Sequence, residues 1–218
     1  MSGAAVADDP HHLGHGGGDE STREGHGSGG PSSKRIVVAY GFWIFLLSDI
    51  VMFSGLFASY AVLVGNTAGG PKPAEIFDLK NTAIETALLL LSSFACAVAS
   101  LSMDARKRGW FYAAMGATFA LGAAFLLLEL REFADLVSRD AGPTRSAFLS
   151  AFFTLVGCHG LHVTVGLLWL LTMVAQLWAK GFRADIQRRF LCFSLFWHAL
   201  DIIWVALFTV VYLLGAGA

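Results

Sequence analysis

Five long stretches of the chain carry almost no charge and are separated by short polar or glycine-rich breaks. They fall at about 36–64, 82–103, 110–130, 145–179 and 190–214. At about 1.5 Å of rise per helical residue, each is long enough to cross a hydrocarbon core of roughly 30 Å. Within them apolar residues run continuously, with Ala, Leu and Gly mixed in, and do not alternate with polar ones as strands of a transmembrane barrel would. The pattern predicts an all-α fold, an integral membrane bundle of five transmembrane helices. The breaks agree with it: residues 65–73 are rich in Gly and Pro, residues 104–109 form a charged turn, and the loop after the third stretch contains Gly142 and Pro143. The fourth stretch exceeds what a bilayer needs and is predicted to tilt or protrude.

Composition sharpens this picture. The 218 residues are 56% hydrophobic and 14% charged, more apolar surface than a soluble domain of this length buries, and the excess points to lipid. A net charge of −1 gives no sign of a nucleic-acid partner. Residues 1–33 are low in complexity and rich in Gly, Ser and His, so they are predicted to be a disordered arm ahead of a membrane domain at 34–218. His11, His12, His15 and His26 in that arm offer loose metal binding at most, and no secretory signal is expected before the first span. Cys96, Cys158 and Cys192 fall in apolar stretches without CxxC or zinc spacing and read as small core residues.

An odd number of spans puts the termini on opposite faces. Arg23, Lys34, Arg35, Arg106, Lys107, Arg108, Lys180, Arg183, Arg188 and Arg189 then share one side, against Lys72, Lys80, Arg131, Arg139 and Arg145 on the other. The richer side is predicted to be cytoplasmic, which places the N-terminus inside and the C-terminus outside. Trp43, Trp110, Trp178 and Tyr212 lie near span ends, where amphipathic rings prefer the headgroup layer, while Trp169, Trp197 and Trp204 are predicted to pack between helices. Ser54 with Ala58, and Gly55 with Ser59, give small-xxx-small spacing that predicts a close helix neighbour.

Ionisable residues inside the spans carry the most functional information, because each costs about 2.5–3.5 kcal/mol on insertion scales unless it finds a partner, a proton or water. Asp49 lies about 13 residues into the first span, roughly 20 Å deep. Asp201 is similarly deep in the fifth, with His198 on the same helical face. His159 and His162, spaced i, i+3, share a face of the fourth span. Glu85 and Glu129 are placed nearer span ends, where they cost less. The set admits three readings: histidine ligands to a haem or copper ion, a proton or ion relay in a transporter, and interhelical hydrogen bonding that fixes packing. Spacing alone favours the last, since no inverted repeat or nucleophile with its base is visible.

Specific strings go further. CHGLHVTVG within residues 152–166, FWHALDIIWVALF at 196–208, LLSDIVMFSGLFASYAVL at 46–63 and LLLELREF at 126–133 together resemble the signature helices of the cytochrome oxidase subunit III family, in the family's order. The five-span length, the His-rich arm and YAVLVGNTAGGP resemble that family's bo-type ubiquinol oxidase branch. The resemblance implies a non-catalytic subunit of a haem-copper terminal oxidase in a bacterial inner membrane. It implies that haem, copper and the quinol site lie in a partner, mainly subunit I, with subunits II and IV as further neighbours. It also implies that the chain holds phospholipid and supports the catalytic subunit. The family's deep acidic position in the first shared helix is usually Glu and here is Asp49, one methylene shorter. Two N-terminal helices of the longer family members have no counterpart, so a helix of a partner subunit is expected to complete the lipid cleft. On this reading Asp49, Glu85, Glu129, His159, His162, His198 and Asp201 are structural, lipid or partner contacts. If Asp201 and His198 pair, Asp201→Asn weakens retention of the chain in its complex more than a change at Lys72, as measured by co-purification in mild detergent.

Overall fold

A computed structural model describes residues 34–70, 78–181 and 183–216, so residues 1–33 with the arm's histidines, and Lys72 and Pro73, lie outside the described residues. Among the described residues five helices are long and apolar enough to span a membrane. They are α1 (Lys34–Leu63), α2 (Leu79–Asp104), α3 (Arg108–Ser138), α4 (Ala147–Lys180) and α5 (Ala184–Leu207), the last continuing through a wider π-helical stretch, Phe208–Leu213, and a final turn, Leu214–Ala216.

Local chemistry sets the helix ends. Asp78 and Ser146 cap α2 and α4, their side-chain oxygens accepting from the Lys80 and Leu149 amides at 3.0 and 3.2 Å. α2 closes where Arg106 turns left-handed (φ 54°), with the Lys107 amide donating to the Ser102 carbonyl. α3 closes likewise at Asp140 (φ 58°), with the Ala141 amide donating to Leu136. Two helices extend beyond the apolar stretches that predicted them: α3 runs to Ser138, not to about 130, and α5 starts at Ala184, not at about 190. In both extensions charged residues interrupt the hydropathy but not the backbone, because Phe133, Leu136 and Ile186 still pack inward.

α2, α3, α4 and α5 pack in sequence around a ring that α5 closes against α2, while α1 docks outside it, against α4 and α5. α1 reaches the core along one line, Leu46, Phe53 and Tyr60, seven residues apart, and the Tyr60 hydroxyl donates to the Val211 carbonyl at 3.4 Å. Its remaining faces expose Ile36, Ile44, Val51 and Val62. The predicted close neighbour for its small residues is not found among the described residues: Ser54, Gly55, Ala58 and Ser59 are all exposed, and both serine hydroxyls donate back to their own helix. Tyr212, expected near the headgroups, is instead fully buried, its ring against Phe152 and Trp204. Trp43, Trp110 and Trp178 are exposed, and Trp197 and Trp204 are buried.

The centre of the ring is Trp197. Its indole N–H donates across to Ser92 on α2 at 3.0 Å, and its ring fills the space left by Gly122 on α3 and Gly166 on α4. A Cβ at Gly166 would lie 2.8 Å from the indole, and one at Gly122 2.9 Å. Gly166→Ala is therefore expected to destabilise the bundle by about 1–3 kcal/mol, the usual cost of overpacking. Gly116→Ala, on the same helix as Gly122 but facing open space, is expected to be neutral. Thermal unfolding of both variants in detergent checks the pair.

Candidate functional site

The polar residues inside the spans separate into three places. The first is the seam between antiparallel α2 and α5. Thr86 accepts from the Trp204 indole at 3.0 Å, Ser93 meets His198 Nδ1 at 2.6 Å, and Ser100 meets Ser194 at 3.3 Å. With Ser92–Trp197 these form a ladder of side-chain bonds between the two helices. His198 and Asp201 are half-buried, and the recorded partner of the imidazole is Ser93 on the facing helix, not Asp201 one turn on; Ser93 stands beside both.

The second place is a small, partly open groove between α1, α4 and α5, lined by Asp49, Phe53, His162, Phe196 and Leu200 among others. Asp49 and His162 are both half-buried there. His162 Nδ1 lies 2.7 Å from the Cys158 carbonyl. Because a carbonyl only accepts, this assigns the ring proton to Nδ1 and leaves Nε2 as the acceptor.

The third place is a buried layer. Glu85 on α2 is 1% exposed, Glu129 on α3 is 2% exposed and His159 on α4 is not exposed at all. Glu85 does lie near a span end, six residues into α2, but both it and Glu129 are buried, so the expectation that their placement is inexpensive fails. α3 continues for nine residues beyond Glu129, and neighbouring helices cover both carboxyls. Glu129 presses against α4 where Gly160 makes room, 2.6 Å from where a Cβ would stand, and lies close enough to Glu85 and Glu132 for their charged forms to repel. Glu132 faces the Tyr212 hydroxyl. The His159 ring is walled by Phe53, Phe125 and Trp204, with centroids at 6.4, 5.9 and 5.1 Å. The recorded ion pair among the described residues, Arg139–Asp135 at 2.7 Å, is exposed at the end of α3, so the buried acids have no basic partner of this kind.

The residues singled out from sequence thus do not converge on one centre, and His159, His162 and His198 point to three different environments. Among the described residues no group of three or more His, Cys, Asp or Glu is arranged to hold a metal ion. Sequence reasoning does not single out Ser93, Thr86, Gly160 or Glu132. Of these only Glu132 carried a signal, three residues from Glu129 on the same face of α3.

Fold and interior together define a multi-pass helical membrane protein whose buried polar groups bind helix to helix. The sequence model of the family described as cytochrome c oxidase subunit III matches residues 20–216. The chain is 49% identical, over 95% of its length and 94% of the relative's, to cytochrome bo(3) ubiquinol oxidase subunit 3 of Pseudomonas aeruginosa. It is 42% identical to quinol oxidase subunit 3 of Bacillus subtilis, over 81% of this chain and 87% of that one. It is 44% identical to cytochrome c oxidase subunit 3 of Bacillus sp. strain PS3, over 80% and 84%. The chain belongs to the cytochrome c oxidase subunit III family.

Removing one rung of the α2–α5 ladder is expected to cost about 0.6–1.7 kcal/mol, the range of interhelical hydrogen bonds in membranes. Ser93→Ala should therefore lower the unfolding midpoint, while Thr172→Ala, whose hydroxyl binds its own helix at an exposed position, should leave it unchanged.

Proposed function

We propose that this chain is the non-catalytic third subunit of a proton-pumping haem-copper terminal oxidase that oxidises ubiquinol, and that its work is assembly, packing and lipid retention around the catalytic subunit. The observation that carries this reading is that a relative 49% identical over 95% of this chain is named cytochrome bo(3) ubiquinol oxidase subunit 3, and one 42% identical over 81% of it is named quinol oxidase subunit 3. The intramembrane acids and imidazoles are divided among the α2–α5 seam, the Asp49 groove and the buried layer of Glu85, Glu129 and His159.

On this proposal the haem and copper belong to subunit I, with subunits II and IV in the same complex. The chain sits in a bacterial inner membrane with its N-terminus cytoplasmic. Arg106, Lys107, Arg108, Arg183, Arg188 and Arg189 crowd the end that holds the α2–α3 and α4–α5 turns, the excess expected of a cytoplasmic face. The outer face of α1 finds its partner outside the chain. Apolar residues with Gly41, Gly55 and Ser59 among them allow close helix approach, and a helix of a neighbouring subunit there would enclose phospholipid against the Asp49 groove. A structure of the complex with no partner helix against α1 would overturn that arrangement. The relative named as a cytochrome c oxidase subunit keeps a second electron donor in view.

The test is to tag the C-terminus, extract in mild detergent, and record spectra and oxygen consumption with quinol and with reduced cytochrome c. Haem and quinol-driven activity are expected to co-purify, and the stripped chain to be colourless. A chain that purifies alone and moves protons by itself in vesicles would favour the transporter reading. Activity with cytochrome c alone would reassign the donor.

A further inference from the structure

The layer containing Glu85, Glu129 and His159 holds buried polar atoms for which the described residues supply no hydrogen-bond partner. Glu85 Oε2, Glu129 Oε2 and both ring nitrogens of His159 are in this state, on residues that are 1%, 2% and 0% exposed. Buried polar groups are almost always paired with protein or with ordered water, because leaving them bare forfeits their hydration with nothing in return. Here the protein side of that choice is closed. His159 meets the aromatic rings of three other helices: Phe53 on α1, Phe125 on α3 and Trp204 on α5. Trp204 spends its own N–H on Thr86, and no basic side chain is in recorded ion-pair contact with the acids.

These atoms occupy one neighbourhood. Glu129 is seated on Gly160, the residue after His159. Thr86, the residue after Glu85, binds the indole that lies 5.1 Å from the His159 ring. Phe125, one turn before Glu129 on α3, lies 5.9 Å from the same ring, and Glu85 and Glu129 are near enough to interact electrostatically.

We propose that this layer is a binding site for ordered water, with at least one resident molecule linking His159 to Glu129 and extending toward Glu85. The chemistry of the unpaired atoms selects the ligand. A neutral imidazole presents one N–H and one acceptor nitrogen, and carboxyl oxygens accept. A single species must therefore both donate and accept, and water does each twice while typically making about three bonds when buried. A cation would satisfy only the acceptors and would leave the imidazole N–H bare, and the described residues supply no cluster of three ligands for one. Such a water would join α2, α3 and α4 where no direct side-chain bond does. This inference does not depend on which partners the chain assembles with.

The test uses the protein as extracted with its co-purifying subunits. Infrared difference spectra between ordinary water and water carrying oxygen-18 report internal water molecules as bands that shift with the isotope. Such bands are expected in the unaltered protein, changed in Glu129→Gln, which keeps the shape of the side chain, and unchanged in Thr172→Ala. A cryo-EM map fine enough to show waters is expected to place compact density about 3 Å from both His159 and Glu129, and to lose it in His159→Phe. If His159→Phe does not assemble, Glu129→Gln still decides. Bands indifferent to Glu129→Gln, or a layer whose side chains pair directly without density between them, would each overturn the proposal.

Discussion

One indole holds the bundle together. In water, helices associate because apolar faces leave solvent, but lipid tails are as apolar as leucine, so that drive is missing between helices inside a membrane. What remains is close packing and hydrogen bonding, and Trp197 does both. From α5 it donates to Ser92 on α2 and lies against Gly122 of α3 and Gly166 of α4, so a single side chain fixes the spacing of all four ring helices. The rest of the α2–α5 seam repeats the polar half of this device at Thr86–Trp204, Ser93–His198 and Ser100–Ser194.

That constraint explains how the other elements are disposed. With α2–α5 closed on themselves, α1 contributes only the line Leu46, Phe53 and Tyr60 to the core and leaves most of its surface bare. A helix so lightly held, in a chain that belongs to an oxidase subunit family, suits an edge on which a larger assembly is built. The interior acids fit the same logic. They lie where helices meet, at Gly160 for Glu129 and beside Ser93 for Asp201. Asp49 is the exception, facing a groove whose other walls are mostly apolar.

How much of this was legible beforehand varies by level. The five spans could be read because hydropathy is a one-dimensional property and the bilayer sets the length. The ends of α3 and α5 were misjudged because charged residues such as Arg131, Glu132 and Arg188 break a hydropathy window without breaking a helix. Glu129 was placed too near a span end for the same reason. The small residues of α1 suggest a surface for close approach, but they are exposed here, and spacing has no way of saying whether an approaching helix belongs to the same chain.

Helical class, the number of spans, the family strings and the inventory of intramembrane polar groups can all be read along the chain, because each depends on composition and local order alone. The packed bundle adds that Ser93 is the hydrogen-bond partner of His198 while Asp201 interacts with it through charge, that Tyr212 leaves the interface for the core, and that Glu85, Glu129 and His159 share a buried layer. Those outcomes depend on rotation and depth of helices that are far apart in the chain, and in a membrane these are set by a few steric and hydrogen-bonding contacts that no periodicity along one helix encodes.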